Sequence, residues 1–184
     1  ELRAFYGTLK LEDFQAPDGA GSIRRLTHGA TYHGLQFLAP ERRAQPTTYY
    51  GPRSGIGLLL TELGDAKALR VGILGLGAGT LAAYGRAGDA YRFYELSPRV
   101  IEVARDAFTF LADSKAALAL VPGDARLALQ REEPQGFDVL VLDAFSSDAI
   151  PVHLLTREAF ALYARHLAPG GVLALHVTTR RLDL

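Results

Sequence analysis

From residue 56 onward, short apolar runs alternate with stretches in which apolar residues recur every three or four positions. The short runs are typical of strands buried on both faces of a parallel sheet, and the longer spacing is typical of helices packed on such a sheet. The predicted strands are residues 71–74, 91–94, 117–121, 137–142 and 172–177. The predicted helices are residues 56–63, 81–84, a helix starting at Ser97-Pro98, 125–130 and 154–167. This alternation predicts an α/β fold, a Rossmann-like doubly wound parallel sheet with right-handed crossovers and strand order 3-2-1-4-5.

The first 48 residues follow a different pattern, a loose alternation of apolar and polar positions. Such alternation predicts strands with one face buried. The predicted strands are residues 2–12, 23–27 and 31–37, which together form a small antiparallel β unit. Residues 40–48 contain two prolines and several charges and are predicted as a loop. We therefore divide the chain into an N-terminal β unit with its loop, residues 1–48, and a nucleoside-binding domain, residues 49–184, which we expect to be truncated after its fifth strand.

Composition narrows the classes of function. The chain has 184 residues, 48% of them hydrophobic, which is enough for one substantial core. Its formal net charge is zero, so a large basic surface for nucleic acid is not expected. Cysteine is absent and the five histidines show no metal-ligand spacing, so we expect no metal. No apolar run approaches the roughly 20 residues of a membrane-spanning helix. The chain contains no methionine and no signal peptide, and it is interpreted as an excised or processed piece.

A glycine-rich turn follows the first predicted parallel strand. Gly75, Gly77 and Gly79 stand at alternate positions, and Thr80 occupies the place of the third glycine of the dinucleotide fingerprint. The G-x-G-x-G spacing is commoner in folds that hold S-adenosylmethionine or a related nucleoside. Glycines there let the backbone approach a ligand. A tight strand-to-helix turn without a ligand is the alternative interpretation.

Glu95 ends the second predicted parallel strand and lies 95 − 75 = 20 residues after the first glycine. An acidic residue at that offset lies beside the glycine turn and can accept hydrogen bonds from both ribose hydroxyls. The alternative is an exposed acid at a strand end. The turn and the acid together favour an adenosine-type ligand.

Further acidic residues follow the next strands. Asp124 follows the third strand, and Asp143 follows the fourth, with Asp148 five residues later. Parallel strands direct their carboxyl ends to one crevice, where Asp124 could accept a hydrogen bond from an adenine amino group or simply cap its helix. A carboxylate such as Asp143 could hold a protonated amine substrate and remove its proton. The alternative is that Asp143 is only a helix cap or a loop acid.

Several motifs in the chain resemble those of the spermidine synthase (polyamine aminopropyltransferase) family, especially its divergent bacterial members. These motifs are His28-Gly29, His33-Gly34-x-Gln36, Tyr49-Tyr50-Gly51-Pro52-x-Ser54-Gly55, Gly75-Leu76-Gly77-Ala78-Gly79-Thr80, Tyr94-Glu95, Gly123-Asp124-Ala125, Asp143 to Pro151 and Pro169-Gly170-Gly171. Their order and spacing cover nearly the whole chain.

The resemblance implies transfer of an aminopropyl group from decarboxylated S-adenosylmethionine to a putrescine-type polyamine, giving spermidine and methylthioadenosine. It implies an S-adenosylmethionine-dependent methyltransferase-like fold. It also implies a catalytic base at Asp143 and an amine-binding role for Asp148. The residues implied to hold the nucleoside are Gly75, Gly77, Gly79, Glu95, Asp124 and Ala125, and those implied to line the substrate pocket are Gln36, Tyr49 and Tyr50.

Two departures from the family pattern keep other functions open. Ala78 stands where the family usually carries an aspartate that holds the donor's amine, and the second acid of the usual D-x-x-D-P loop is displaced to Asp148. The alternatives are a methyltransferase that uses S-adenosylmethionine itself and a non-catalytic nucleoside-binding domain. Members of this divergent type also occur fused to membrane segments, so we expect a cytoplasmic protein or the cytosolic domain of a membrane protein. We expect it to form a homodimer.

Overall fold

The computed structural model describes residues 2–4, 7–16, 19, 21–28, 31–144 and 150–177. Its first sheet is antiparallel, in the order β1-β2-β3-β4. The strands are β1 (Leu2–Ala4), β2 (Gly7–Gln15), β3 (Ser22–His28) and β4 (Thr31–Phe37). The predicted N-terminal β unit is confirmed. The stretch predicted as one strand over residues 2–12 instead forms β1 and most of β2, which pair with each other, because Ala4 lies opposite Gly7 and the chain reverses between them.

The second sheet has five parallel strands in the order β7-β6-β5-β8-β9. These strands are β5 (Arg70–Leu74), β6 (Ala90–Glu95), β7 (Ala117–Pro122), β8 (Phe137–Leu142) and β9 (Leu167–Leu175). Numbered within this sheet, the order is 3-2-1-4-5, which confirms the predicted topology. The reversal of strand order lies between β5 and β8, where ligand crevices of open α/β sheets are found.

Five α-helices connect these strands in the described part of the chain. They are α1 (Gly55–Ala66), α2 (Pro98–Asp106), α3 (Phe110–Asp113), α4 (Ala125–Arg131) and α5 (Arg157–His166). Ser54, Ser97, Asp124 and Thr156 cap α1, α2, α4 and α5, because each side chain accepts a hydrogen bond from a backbone N–H in the first turn. The longest helix, α1, has 12 residues, so no helix in the described ranges is long and apolar enough to cross a membrane.

Two helix predictions need correction. The helix predicted over residues 81–84 is a five-residue 3₁₀ helix, Thr80–Tyr84, which starts after Gly79 in the left-handed conformation. The helix predicted over residues 154–167 is α5 alone, because Val152–Leu154 forms a separate 3₁₀ turn and Thr156 provides the cap. Apolar spacing predicted both segments but did not mark their ends.

The turn predicted at residues 169–171 lies inside β9. Phe137 of β8 pairs with Leu167, but Val139 pairs with Val172, so the residues between these two pairings form an outward bulge. Gly170 adopts a φ of +76°, a conformation that glycine takes without a side-chain penalty. The Pro-Gly-Gly signal therefore marks an irregularity within a strand instead of the strand's beginning.

Alternate residues of the central strands face two different layers of helices. Ile73 and Val141 pack with buried residues of α1 and α2. Leu74 and Leu140 face the opposite way and pack with buried residues of α4 and α5. Helices therefore cover both faces of the sheet, which confirms the doubly wound architecture and explains why these strands have no polar face.

The antiparallel sheet packs beside the carboxyl ends of the parallel strands. Leu9 and Leu26 are buried together with Ala78 of the glycine turn and with Phe108 and Phe110 near α3. A hydrogen bond from Arg24 Nη1 to the carbonyl oxygen of Ala107 adds a polar contact of 2.9 Å. The N-terminal strands thereby form a second wall over the crevice of the parallel sheet.

Candidate active site

A cavity of about 250 Å³ lies between the carboxyl ends of the parallel strands and the N-terminal sheet. This volume is comparable with the smallest ligand clefts, which measure roughly 300 Å³. The predicted site residues that line the cavity are Tyr49, Gly75, Gly77, Glu95, Asp124, Ala125 and Asp143. The N-terminal sheet contributes Leu9, Leu26, His28 and His33 to the opposite wall. The parallel topology therefore brings together residues from four separate segments of the parallel domain.

The glycine turn is in close contact with the backbone of two other segments, at Asp143 and at His33. Gly75 has a φ of +104°, and a Cβ on it would lie 2.5 Å from the carbonyl oxygen of Asp143. Gly77 has a φ of +55°, and its Cβ would lie 2.5 Å from the carbonyl oxygen of His33. Both positions therefore require glycine, and both line the cavity. Gly79 is not among the residues that line this cavity, and a Cβ on it would lie 3.1 Å from the Leu111 side chain, so its contact with a nucleoside stays a prediction.

Glu95 is held rigidly beside the glycine turn. Its Oε2 accepts a hydrogen bond of 3.0 Å from the backbone N–H of Leu76, and its Oε1 accepts one of 2.8 Å from Ser97. Burial raises the pKa of Glu95, and the backbone N–H donors act in the opposite direction. Each carboxylate oxygen can accept a further hydrogen bond. The geometry is therefore suited to accept two hydroxyl groups of a ligand in the cavity.

Asp124 has two partners within the protein. Its Oδ1 accepts a hydrogen bond from the N–H of Leu127, as the cap of α4, and its Oδ2 lies 3.0 Å from His153 Nε2. Both interpretations of Asp124 are compatible with this arrangement, since it caps its helix and also lines the cavity beside Ala125. His153 also lines the cavity and follows the loop after Asp143, a placement that no local motif indicated.

Asp143 is almost fully buried and is paired with a histidine. Its Oδ1 lies 2.5 Å from Nδ1 of His176, and the Asp143 side chain is 9% exposed. Burial raises the pKa of Asp143, whereas the hydrogen bond and the charge of His176 act to lower it. His176 belongs to none of the sequence motifs given above. Its position directly after the fifth strand is the signal that could have found it.

The two adjacent tyrosines have different environments. Tyr49 lines the cavity, its ring stacks on His176 at a centroid distance of 4.2 Å, and its hydroxyl donates to the carbonyl oxygen of Tyr32. Burial and the nearby charge of Asp143 raise the pKa of Tyr49. Tyr50 is buried in the core beside α1 and does not line the cavity. The predicted pocket-wall role therefore needs correction for Tyr50. Its ring instead packs against that of Tyr49, at a centroid distance of 4.4 Å.

Ala78 points away from the cavity. Its Cβ packs against Gly34 so closely that a Cβ on Gly34 would lie 2.3 Å from it. The N–H of Ala78 also donates to the carbonyl oxygen of His33 over 3.1 Å. A longer side chain at position 78 would have to displace β4. The small residue at this position thus allows the N-terminal sheet to close on the glycine turn.

His33 occupies an irregularity of the antiparallel sheet. Leu26 pairs with Gly34 and Thr27 pairs with Tyr32, so His33 is the extra residue of a β-bulge. Its imidazole lines the cavity, and its Nε2 is buried without a hydrogen-bond partner among the described residues. Burial lowers the pKa of His33 to about 4, so the ring is neutral at neutral pH. The sequence analysis included His33 in a motif without giving it a role.

Gln36 does not line the cavity, and its predicted role as a pocket wall needs correction. The side chain is 1% exposed. Its Nε2 donates to the carbonyl oxygen of Arg43 and to Thr109 Oγ1, both at 2.9 Å, and its Oε1 accepts from the N–H of Thr109 at 3.1 Å. Gln36 therefore joins β4 to the segment before α3. Asp148, predicted to bind an amine, lies outside the described residues.

Replacing Gln36 by Leu should lower the free energy of unfolding by about 1–3 kcal/mol for each buried partner left unpaired. Urea titration measures the change. Gln45→Ala is the matched control, because Gln45 is exposed and its loss should cost no more than about 0.5 kcal/mol. Equal effects of the two substitutions would contradict the bridging role.

The sequence comparisons identify related proteins. The chain is 31% identical over 116 residues to a polyamine aminopropyltransferase of Vibrio vulnificus. The aligned region covers 59% of this chain and 38% of that protein. It is 28% identical over 164 residues to a probable polyamine aminopropyl transferase of Bifidobacterium longum. This aligned region covers 85% of this chain and 33% of that protein. The chain is similar in sequence to polyamine aminopropyltransferases. It spans about a third of the length of these curated relatives.

Solved structures share the fold of this chain. A probable spermidine synthase from Corynebacterium glutamicum superimposes with a TM-score of 0.73 at 22% identity, covering 95% of this chain and 62% of that one. A spermidine synthase in complex with the transition state analogue AdoDATO superimposes with a TM-score of 0.59 at 18% identity, covering 94% and 57%. No family model matches the chain. The named relatives are transferases, and the fold is that of spermidine synthases.

Proposed function

We propose that this chain carries the donor and base portions of an aminopropyltransferase site. The donor would be decarboxylated S-adenosylmethionine and the acceptor a putrescine-type polyamine. The observation that carries the proposal is the arrangement of Glu95 and the glycine turn beside the buried carboxylate of Asp143 in one cavity. The sequence similarity to polyamine aminopropyltransferases supports the same reaction class.

The donor half of the proposal depends on groups that suit an adenosyl nucleoside. Glu95 has spare acceptor capacity for two ribose hydroxyls, and Gly75 and Gly77 allow the ligand to approach the backbone. Asp124 and the N–H of Ala125 are proposed to recognise the adenine ring. The complex of a structurally similar spermidine synthase with AdoDATO supports an adenosyl-type ligand for this fold.

Asp143 is the proposed general base. An amine is protonated at neutral pH, because its pKa is near 10, and it cannot attack until a proton leaves. Asp143 would accept that proton while the nitrogen lone pair forms a new C–N bond to the aminopropyl carbon of the donor. The C–S bond breaks as the C–N bond forms, its electron pair moves to sulfur, and the positively charged sulfonium becomes the neutral thioether methylthioadenosine. The products are methylthioadenosine, an elongated amine that carries the positive charge, and a protonated Asp143.

Methyl transfer from S-adenosylmethionine is the second candidate, and Ala78 favours it. The Ala78 side chain packs on Gly34 and offers no carboxylate toward the donor's amine. The carboxylate of Asp143 argues against it, because a donor that carries its own carboxylate would be repelled if the two groups lay close together.

Calorimetric titration with the two donors in parallel tests the proposal. We expect tighter binding of decarboxylated S-adenosylmethionine than of S-adenosylmethionine, followed by methylthioadenosine release when putrescine is added. Tighter binding of the intact donor with methyl transfer would support the second candidate. Donor binding without turnover, or no binding of either donor, would contradict both and favour a non-catalytic domain.

A further inference from the structure

We infer that His176 is a positioning residue for Asp143, which it keeps ionised and fixed in orientation so that Asp143 can accept a proton from the substrate. The inference deepens the proposed function and rests on it for the identity of the reaction. The contact itself is independent of that assignment, because it follows from the strand pairing of the sheet.

The two residues are cross-strand neighbours. Leu142 of β8 pairs with Leu175 of β9, so the next residues along the two strands, Asp143 and His176, emerge side by side at the carboxyl edge. The ladder continues past the last pair, because the N–H of His176 donates to the carbonyl oxygen of Leu142 at 3.0 Å. On the other side, the N–H of Asp143 donates to the carbonyl oxygen of Leu74 at 2.9 Å. The backbones of both residues are therefore fixed by the central strands of the sheet.

The side chains are fixed as well. His176 Nδ1 lies 2.5 Å from Asp143 Oδ1, and since an ionised carboxylate only accepts hydrogen bonds, Nδ1 carries the hydrogen. Tyr49 stacks on the imidazole ring with an interplanar angle of 29°, and Tyr50 lies behind it at a centroid distance of 6.2 Å. The side chain of His176 is 22% exposed, against 9% for Asp143. The imidazole ring is therefore more exposed than the carboxylate with which it is paired.

The contact with His176 affects the ionisation of Asp143. Burial raises the pKa of Asp143 and so favours the protonated form, which cannot act as a base. The hydrogen bond and charge of His176 favour the ionised form. Tyr49 is also a titratable group beside Asp143. The remaining titratable side chains that line the cavity among the described residues are His28, His33, Tyr94, Glu95, Asp124 and His153.

The matched variants are His176→Asn and His176→Leu. Asparagine places an amide N–H near the position of Nδ1 and retains the donor to Asp143, whereas leucine retains bulk without a donor. We expect His176→Leu to lower kcat/KM at pH 7 about tenfold and to move the acid limb of the pH profile to higher pH, because fewer molecules hold an ionised Asp143. His176→Asn should restore most of the rate and bring the limb back toward the wild-type position. Asp138→Asn, at the other end of β8 where Asp138 accepts a hydrogen bond from the N–H of Arg70, is the control and should leave the limb in place.

Direct titration of the Asp143 carboxyl separates this inference from the proposed reaction. Carbon-13 NMR of the protein, with the Asp143 signal assigned from Asp143→Asn, measures the ionisation midpoint without any substrate. A higher midpoint in His176→Leu than in wild type or His176→Asn supports the inference, and an unchanged midpoint overturns it. If the midpoint shifts but no transfer to putrescine occurs in wild type, the proposed aminopropyl transfer fails while the positioning contact stands.

Discussion

Asp143→Asn is expected to lower kcat for aminopropyl transfer by about 10²- to 10⁴-fold while binding of decarboxylated S-adenosylmethionine is retained. The amide has nearly the same shape as the carboxylate and can still accept a hydrogen bond from His176. It cannot take a proton from the amine. The loss should therefore appear in kcat, measured by methylthioadenosine release, and not in the calorimetric dissociation constant of the donor.

Asp138→Asn is the matched control for this substitution. Asp138 lies on the same strand, β8, but at the end remote from the cavity, where it accepts hydrogen bonds from Lys67 and from the N–H of Arg70. Its replacement should cost stability and leave kcat close to the wild-type value. Transfer that survives in Asp143→Asn would remove Asp143 from the role of base. A parallel loss in Asp138→Asn would indicate damage to the strand instead.

Glu95→Gln should weaken binding of the adenosyl donor about tenfold to a hundredfold. Hydrogen bonds to a charged group contribute about 1.5–3 kcal/mol, and the neutral amide also has one acceptor oxygen fewer. The N–H groups of Leu76 and Ser97 each donate to one of the two carboxylate oxygens, so the loss of one oxygen removes the acceptor of one N–H group and of one ligand hydroxyl. Calorimetry measures the dissociation constant, and kcat at saturating donor should change less than in Asp143→Asn.

The pH dependence of donor binding gives a second measurement on Glu95. Because burial raises the pKa of Glu95, the ionised form is lost at a higher pH than for an exposed glutamate. Donor affinity in the wild type should therefore fall as the pH drops through that pKa, and Glu95→Gln should remove this part of the dependence. Glu102→Gln, at an exposed position of α2, is the control and should bind donor normally. Unchanged affinity in Glu95→Gln would exclude Glu95 from the nucleoside site.

The parallel strands were predictable because burial on both faces leaves continuous apolar runs, as at residues 71–74 and 137–142. Their predicted order was the one common to doubly wound sheets and did not come from any residue. Helix ends were less predictable. Apolar spacing continued through residues 154–156, but the cap at Thr156 and the 3₁₀ turn before it depend on local backbone hydrogen bonds.

The site residues divide in the same way. The places of Gly75, Gly77, Glu95, Asp124 and Asp143 along the cavity were predictable, because each lies at or within three residues of the end of a strand, and these strand ends must meet at one edge. Gln36 and Tyr50 were misplaced, because a motif shows which residues accompany a site but not whether their side chains turn toward the cavity or into the core.

By itself, the sequence determined the layered fold, the glycine turn and the set of acids at the strand ends, because these follow from local periodicity and from the geometry common to all parallel sheets. Only the tertiary structure decided the pairing of Asp143 with His176, which lie 33 positions apart in sequence and meet through the register of β8 and β9. It also decided that a bulge turns His33 into the cavity and that Ala78 packs on Gly34. Such contacts depend on strand register and close packing between distant segments, which no short stretch of sequence encodes.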